Sequence, residues 1–437
     1  MRKYKVDIIT LGCSKNLVDS EQLMRQFVAN GYTVEHDPHK INGEIVVVNT
    51  CGFIGDAQEE SIQMILDLGE QKKQGRISKL FVMGCLSERF MQELVPELPE
   101  VDRFYGKFNW KELITDLGKS YYQELAADRV LTTPHHYAFV KIGEGCNRTC
   151  SYCSIPIITG AYKSRPMEEL VEEVRQLATK GVKEFQFIAQ DLTYYGLDLY
   201  HRAALPELVE RVSDLPGVEW IRLHYGYPSH FPYELLPIMR ERENVCNYMD
   251  IALQHISDRM LSLMRRPITK AETYELIHRM REEVPGIHLR TTLMVGHPGE
   301  TEEDFAELLD FVKQVRFERM GAFAYSHEAG TYAYTHYQDE IAQTVKQDRL
   351  DALMRAQERV SAALNEAKVG QRFKTIIDRE EEDYYVGRTQ FDSPEVDPEM
   401  LIAKDKPLEI GAFYDVRVTG AEEYDLYGEV VSSTVKR

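Results

Sequence analysis

A chain of 437 residues is too long for one ordinary core, and two or three domains are expected. Its formal net charge of -19 argues against broad nonspecific affinity for nucleic acid and suits a basic partner. No apolar run reaches the length of a membrane span, and Val6–Leu11, broken by Asp7, is too short for a signal peptide. The expected setting is therefore the cytoplasm, with no membrane partner. Seven cysteines, an odd number without the spacing of a secreted disulfide scaffold, fit a reducing compartment and metal-bound thiolates.

Short apolar strands alternate with amphipathic segments over residues 1–130, the pattern of an α/β domain with a mostly parallel sheet. Val6–Leu11 reads as a strand ending at Gly12-Cys13, with a helix from about Asp19 to Asn30. Ile45–Asn49 is a second strand ending at Cys51, with a helix from about Asp56 to Lys73. Lys79–Met83 is a third, ending at Gly84-Cys85. Ligands bind at the carboxyl ends of strands in open parallel sheets. Cys13, Cys51 and Cys85 are therefore expected to converge as metal ligands, although a lone cysteine after a strand is commonly a small buried hydrophobe. Gly12 and Gly84 would allow close backbone approach to a bulky inorganic group.

The periodicity stops between about Ala126 and His136, and Thr132-Thr133-Pro134-His135-His136 reads as a linker whose histidine pair is solvated. Beyond it, residues 135–367 hold strand–loop–helix units. The expected strands are Ala138–Ile142, Glu184–Ala189, Trp220–Tyr225, Met249–Leu253, Leu289–Val295 and Met320–Tyr325. Six such units make a partial (β/α)6 barrel with its chemistry at the strands' carboxyl ends. Directly after the first strand comes Cys146-Asn147-Arg148-Thr149-Cys150-Ser151-Tyr152-Cys153. Three thiolates in one short loop suit an iron–sulfur cluster or zinc. Zinc normally wants a fourth nearby ligand, and the next histidine downstream is His201.

Other strand ends supply further candidates. Gln190 has amide groups suited to the methionine end of a cofactor, or it satisfies a loop. Gly296 and Gly299 would let the backbone approach an adenosine. Glu300 either touches the cofactor or favours the N-terminus of the helix that follows. Arg165, in Lys163-Ser164-Arg165-Pro166, could hold a carboxylate or sit at the surface. Cys246 has no partner spacing and reads as structural. Gln338–Lys368 reads as a long helix between domains. Residues 368–437 then read as a small antiparallel β-barrel, with ten Lys and Arg against sixteen Asp and Glu. So acidic a barrel is poorly built to hold phosphates.

With both cysteine trios in view, the chain resembles the radical SAM methylthiotransferases over nearly its whole length. Leu11-Gly12-Cys13-Ser14-Lys15-Asn16, Asn49-Thr50-Cys51-Gly52-Phe53 and Gly84-Cys85 resemble the family's first three motifs. The Cys146 loop, with the aromatic Tyr152 before its last cysteine, and Val295-Gly296-His297-Pro298-Gly299-Glu300 resemble two more. His297 departs from the aromatic hydrocarbon more usual there, and Ile188-Ala189-Gln190 departs from the glycine-glycine-acid pattern of many radical SAM enzymes.

The resemblance implies a cluster-binding N-terminal domain, a radical SAM barrel and a C-terminal TRAM domain. It implies two [4Fe-4S] clusters, held by Cys13/Cys51/Cys85 and Cys146/Cys150/Cys153, each with one open iron. S-adenosylmethionine would bind at the second of these, near Tyr152. An electron donor protein would be a partner. Asp19-Ser20-Glu21, Leu253-Gln254-His255-Ile256-Ser257, Tyr325-Ser326-His327-Glu328 and the acidic barrel resemble the branch that methylthiolates an aspartate β-carbon of the basic small-subunit ribosomal protein S-twelve. The other branch modifies tRNA adenosines, which makes tRNA the less expected substrate. A non-catalytic iron–sulfur protein that binds the ribosome is the alternative of another class.

Overall fold

The computed structural model describes residues 2–433. The apolar runs of the first hundred residues form a five-stranded parallel sheet. Its strands are β1 (Arg2–Thr10), β2 (Thr33–His36), β3 (Gly43–Thr50), β4 (Lys79–Gly84) and β5 (Arg103–Phe104), in the order β2-β1-β3-β4-β5. Val6, Ile8, Ile45 and Val47 pack on Leu23, Met24 and Phe27 of helix α1 (Ser14–Ala29). Ile9, Val46 and Val48 point the other way, onto Ile65 and Leu68 of α2 (Gly55–Lys73). Strands covered on both faces need no polar alternation, and this is why they read as continuous apolar runs. The edge strands β2 and β5 are half-polar or two residues long, too weak a pattern to be expected from sequence.

The second sheet is also parallel. It contains β6 (Tyr137–Lys141), β9 (Glu184–Ile188), β10 (Trp220–Gly226), β11 (Val245–Gln254), β12 (His288–Val295) and β13 (Arg319–Ala324). The order β13-β12-β11-β10-β9-β6 is that of the expected six-unit open barrel. A small antiparallel pair, β7 (Gly143–Glu144) and β8 (Lys163–Ser164), pinches the base of the Cys146 loop.

The N-terminal sheet docks on the carboxyl ends of these strands. Glu328, buried in the loop after β13, accepts hydrogen bonds from the Gly55 N–H (2.9 Å), Gln58 Nε2 (2.9 Å) and Arg89 Nη1 (3.0 Å). Gly55 opens α2, and Arg89 lies on α3 (Cys85–Glu97). One carboxylate thus ties the helices that follow Cys51 and Cys85 to the second sheet. The linker is also bound down: Thr132 donates through its N–H to Glu21 at 2.8 Å.

Residues 372–433 close into a barrel of β14 (Arg372–Glu380), β15 (Tyr384–Thr389), β16 (Met400–Ala403), β17 (Phe413–Ala421) and β18 (Leu426–Ser433), in the order β14-β15-β16-β18-β17. It is mixed where an antiparallel barrel was expected, because β16 and β18 run parallel. The segment between β16 and β17 carries the chain across to β14, so β18 returns alongside β16.

This barrel covers the amino ends of the second sheet, the mouth opposite the Cys146 loop. Trp220 and Phe413 meet edge to face at 4.8 Å, with Cys246, Tyr248 and Ile376 around them, which gives Cys246 its packing role. Buried ion pairs of both polarities tie the barrel to the strand starts. Arg388 pairs with Glu184 at 2.7 Å, Arg319 with Asp392 at 2.5 Å and Arg290 with Asp397 at 3.2 Å. Part of the negative charge read from residues 368–437 is therefore neutralised inside the molecule. His136, expected in solvent, is fully buried and lies 2.8 Å from Asp378, because the linker crosses beneath the small barrel.

Candidate metal centres

Cys13, Cys51 and Cys85 each follow a strand of the first sheet, at the ends of β1, β3 and β4. They converge. Cys13 raises the cost of a thiolate at Cys51, and both Cys13 and Cys51 do so at Cys85. Gly12 shows how tightly the segments meet: a Cβ there would stand 2.7 Å from Cys51 Cβ and 2.9 Å from its sulfur. Glycine here admits a neighbouring cysteine. Burial pushes the Cys85 thiol up to about 12. Cys13 moves the other way, because the ammonium groups of Lys15 and Lys107 outweigh its burial.

The second trio lies in the loop after β7. Cys153 donates its N–H to the Cys150 carbonyl at 3.2 Å, and Cys146 accepts from the Arg148 N–H at 3.4 Å. Burial pushes the Cys146 thiol up to about 11. Arg266, which no motif pointed to, donates to Cys150 Sγ at 3.5 Å and to the Tyr152 hydroxyl at 3.2 Å. Its guanidinium also lies 4.4 Å from the centre of the Tyr227 ring, whose hydroxyl is 3.8 Å from Cys150 Sγ. The only sequence signal for it is the pair Arg265-Arg266 before Pro267 at a helix end.

Among the described residues, no three His, Cys, Asp or Glu side chains are gathered tightly enough for one metal ion. Each trio offers three cysteine thiolates, one ligand short of a closed structural zinc site, and cysteine thiolates are the usual ligands of a four-iron cluster.

The remaining candidates divide. Gln190 donates to Glu144, two residues before Cys146, while its Oε1 is buried without a partner. Tyr152 lies beside Cys150 and meets His297 edge to face. His297 is buried 3.0 Å from Ser151 Oγ, and burial pushes it down to about 4. A neutral histidine thus fills the place where a hydrocarbon ring is more usual.

Arg165 turns to the buried Glu173 (2.7 Å) and the Lys141 carbonyl (2.9 Å). Glu300 accepts from the Gly296 N–H and from Arg349 Nη1, both at 2.8 Å. Gly296 has φ +74°, and a Cβ there would stand 2.4 Å from Lys346 Cγ, so its bareness admits the long helix Gln343–Glu366. Gly299, at φ +83°, faces Leu263 at the end of the short helix Asp258–Leu263. These contacts give Arg165, Gly296, Gly299 and Glu300 structural work in the chain itself.

A charged seam joins the two trios. Lys107 Nζ reaches Asp19 (3.0 Å), Asn16 (3.3 Å) and Glu144 (3.6 Å), and Lys141 reaches Glu144 (2.9 Å) and Asp19. Asp19, Asn16 and Lys107 come from the first sheet's domain; Lys141 and Glu144 flank the Cys146 loop.

Residues 5–106 match the Uncharacterized protein family UPF0004, residues 140–312 the Radical SAM superfamily and residues 369–431 the TRAM domain. The chain is 81% identical over 432 residues to the "Ribosomal protein uS12 methylthiotransferase RimO" of Parabacteroides distasonis, covering 99% of this chain and 100% of the relative. The chain belongs to the RimO family. A RimO of Porphyromonas gingivalis is 67% identical over 433 residues, again with 99% of this chain and 100% of the relative covered. Among solved structures, the radical S-adenosylmethionine methyltransferase TsrM of Kitasatospora setae aligns with a TM-score of 0.52 at 16% identity, covering 74% of this chain and 75% of that one. That likeness shows a shared fold and nothing further.

Proposed function

We propose that this protein is a radical SAM methylthiotransferase that adds a methylthio group to the β-carbon of an aspartate in ribosomal protein uS12. The observation that carries this is the pair of cysteine trios, one on each of two docked sheets, facing a common seam. The unactivated C–H bond of the aspartate β-carbon is beyond the acids and bases of a protein, so a cofactor must do the hard chemistry. Cys146, Cys150 and Cys153 would hold one four-iron cluster with S-adenosylmethionine beside it, and Cys13, Cys51 and Cys85 a second. When bound, these groups supply the electron that splits S-adenosylmethionine into methionine and a 5′-deoxyadenosyl radical, and the site from which sulfur is delivered. The chain's own share is to hold the substrate carbon between the trios and to exclude water. Glu328, Lys107 and Glu144 serve this by locking the two sheets together across the seam. The setting is the cytoplasm, where an electron donor protein would reduce the clusters.

The test offers the anaerobic, reconstituted enzyme both uS12 and bulk tRNA with S-adenosylmethionine, reductant and sulfide. The expected product is a uS12 aspartate heavier by one methylthio group. Methylthiolated adenosine in the tRNA, with uS12 untouched, would transfer the protein to the tRNA branch.

Gln190 is proposed to contact the charged methionine end of S-adenosylmethionine through its unpartnered Oε1. Gln190→Ala should weaken S-adenosylmethionine binding about tenfold or more, since a hydrogen bond to a charged group is worth roughly 1.5–3 kcal/mol. An equilibrium titration measures this. Unchanged affinity would reduce Gln190 to an anchor for Glu144.

A further inference from the structure

Lys15 stands in the first turn of α1, two residues after Cys13, and its side chain is 8% exposed. Among the described residues, its ammonium has no hydrogen-bond acceptor and no carboxylate within ion-pair distance. Its one close contact is the face of the Tyr225 ring, 3.9 Å from the ring centre. Tyr225, Cys13 and Glu144 favour its charge from nearby, yet no acid is in contact with the ammonium itself. The seam's other two lysines are satisfied: Lys107 and Lys141 share Asp19 and Glu144 between them. Three ammonium groups thus meet two carboxylates, and Lys15 is the one left over.

The far side of the contact is also unusual. Tyr225, next to last in β10, has φ +65°, a left-handed conformation that a bulky aromatic seldom adopts. The pairing of β10 with β11 shifts register just there, between Leu223 and Gly226. Such strain persists where the surroundings over-determine it, and it gathers at ligand sites. Two residues on, the Tyr227 hydroxyl touches Cys150 Sγ at 3.8 Å. Lys15 therefore lies between Cys13 of one trio and the strand end that reaches the other.

We propose that Lys15, on its Tyr225 platform, binds the carboxylate of the target aspartate. This rests on the reading of uS12 as substrate. The carboxyl carbon is bonded directly to the carbon that reacts, so holding that carbon between the trios brings a buried negative charge into the seam. Lys15 is the cation placed to receive it. The same site has no use for a neutral adenine, so Lys15 also selects between the family's two substrate classes.

The test measures equilibrium binding of the cluster-loaded enzyme to uS12 and to uS12 carrying asparagine at the target position. Wild type should bind the aspartate form more tightly. Lys15→Gln should lose about tenfold or more in affinity for the aspartate form, the scale of a charged hydrogen bond, and change little toward the asparagine form. Lys15→Arg, which keeps the charge, should retain most of the discrimination. Equal loss toward both forms in Lys15→Gln would overturn the proposal and make Lys15 a support for Cys13, Tyr225 or the bound cofactor. Undiminished discrimination in Lys15→Gln would overturn it as well. If wild type modifies tRNA and leaves uS12 untouched, the substrate reading itself fails, and this proposal with it.

Discussion

Replacing Cys146, Cys150 or Cys153 with alanine is expected to abolish reductive cleavage of S-adenosylmethionine. Replacing Cys13, Cys51 or Cys85 should spare cleavage and abolish sulfur insertion. The division follows from position. The first set lies on the second sheet, beside Tyr152, Gln190 and Arg266. The second lies on a different sheet, and its link to the first runs through the seam and Glu328. Loss of one trio therefore leaves the fold around the other intact. Two measurements check this: 5′-deoxyadenosine formed on reduction, and iron bound per chain, which should fall by about half in either set because each trio would hold one of two equal clusters. Cys246→Ser should leave iron unchanged, since Cys246 packs under the small barrel at the opposite mouth. Equal loss of cleavage in both sets would defeat the division of labour.

Arg388→Ala is expected to destabilise the contact between the small barrel and the second sheet by about 3–5 kcal/mol, the usual cost of breaking a buried ion pair by removing one partner. Arg388 is 1% exposed and donates to Glu184 at 2.7 Å and to Asp378 at 3.0 Å. Without it, the buried Glu184 keeps Arg222 and Gln186, and the half-buried Asp378 keeps His136. The effect should depend on pH. Burial opposes ionisation of Asp378, yet Arg388 and His136 outweigh it and hold the carboxyl down at about 2. Glu184 is lowered in the same sense, with Arg388 and Arg222 overcoming its burial. A carboxylate with a depressed folded-state pKa contributes stability that is present above its unfolded value, about 3.9 for Asp and 4.3 for Glu, and is lost as pH falls through the folded value. The gap between Arg388→Ala and wild type should therefore be full at neutral pH and narrow below about pH 4. Thermal unfolding from pH 7 down to pH 3 measures it. A gap that is small at neutral pH, or that does not change with pH, would mean these charges do not hold the barrel in place.

Much of this was legible in the chain because it is local. The Cys146 loop declares itself by spacing within eight residues. The strands of both sheets are apolar runs because both their faces are covered, and a cysteine directly after such a run must lie at the carboxyl edge. What only the tertiary structure decided depends on residues far apart in sequence. Arg266 reaches Cys150 from across the sheet. Glu328 clamps Gly55 and Arg89 from another domain. Residues 368–437 read as a surplus of negative charge, yet Asp392 and Asp397 are paired with Arg319 and Arg290 at the strand starts and Asp378 with Arg388 of the small barrel itself, while Glu380 and Glu381 stay at the surface beside Lys404 and Arg379. Net charge counts residues and cannot say which of them face each other. Lys15 is the sharpest case. In the sequence it is one lysine of a motif, and only the folded chain surrounds it with protein while setting no acid in contact with its ammonium.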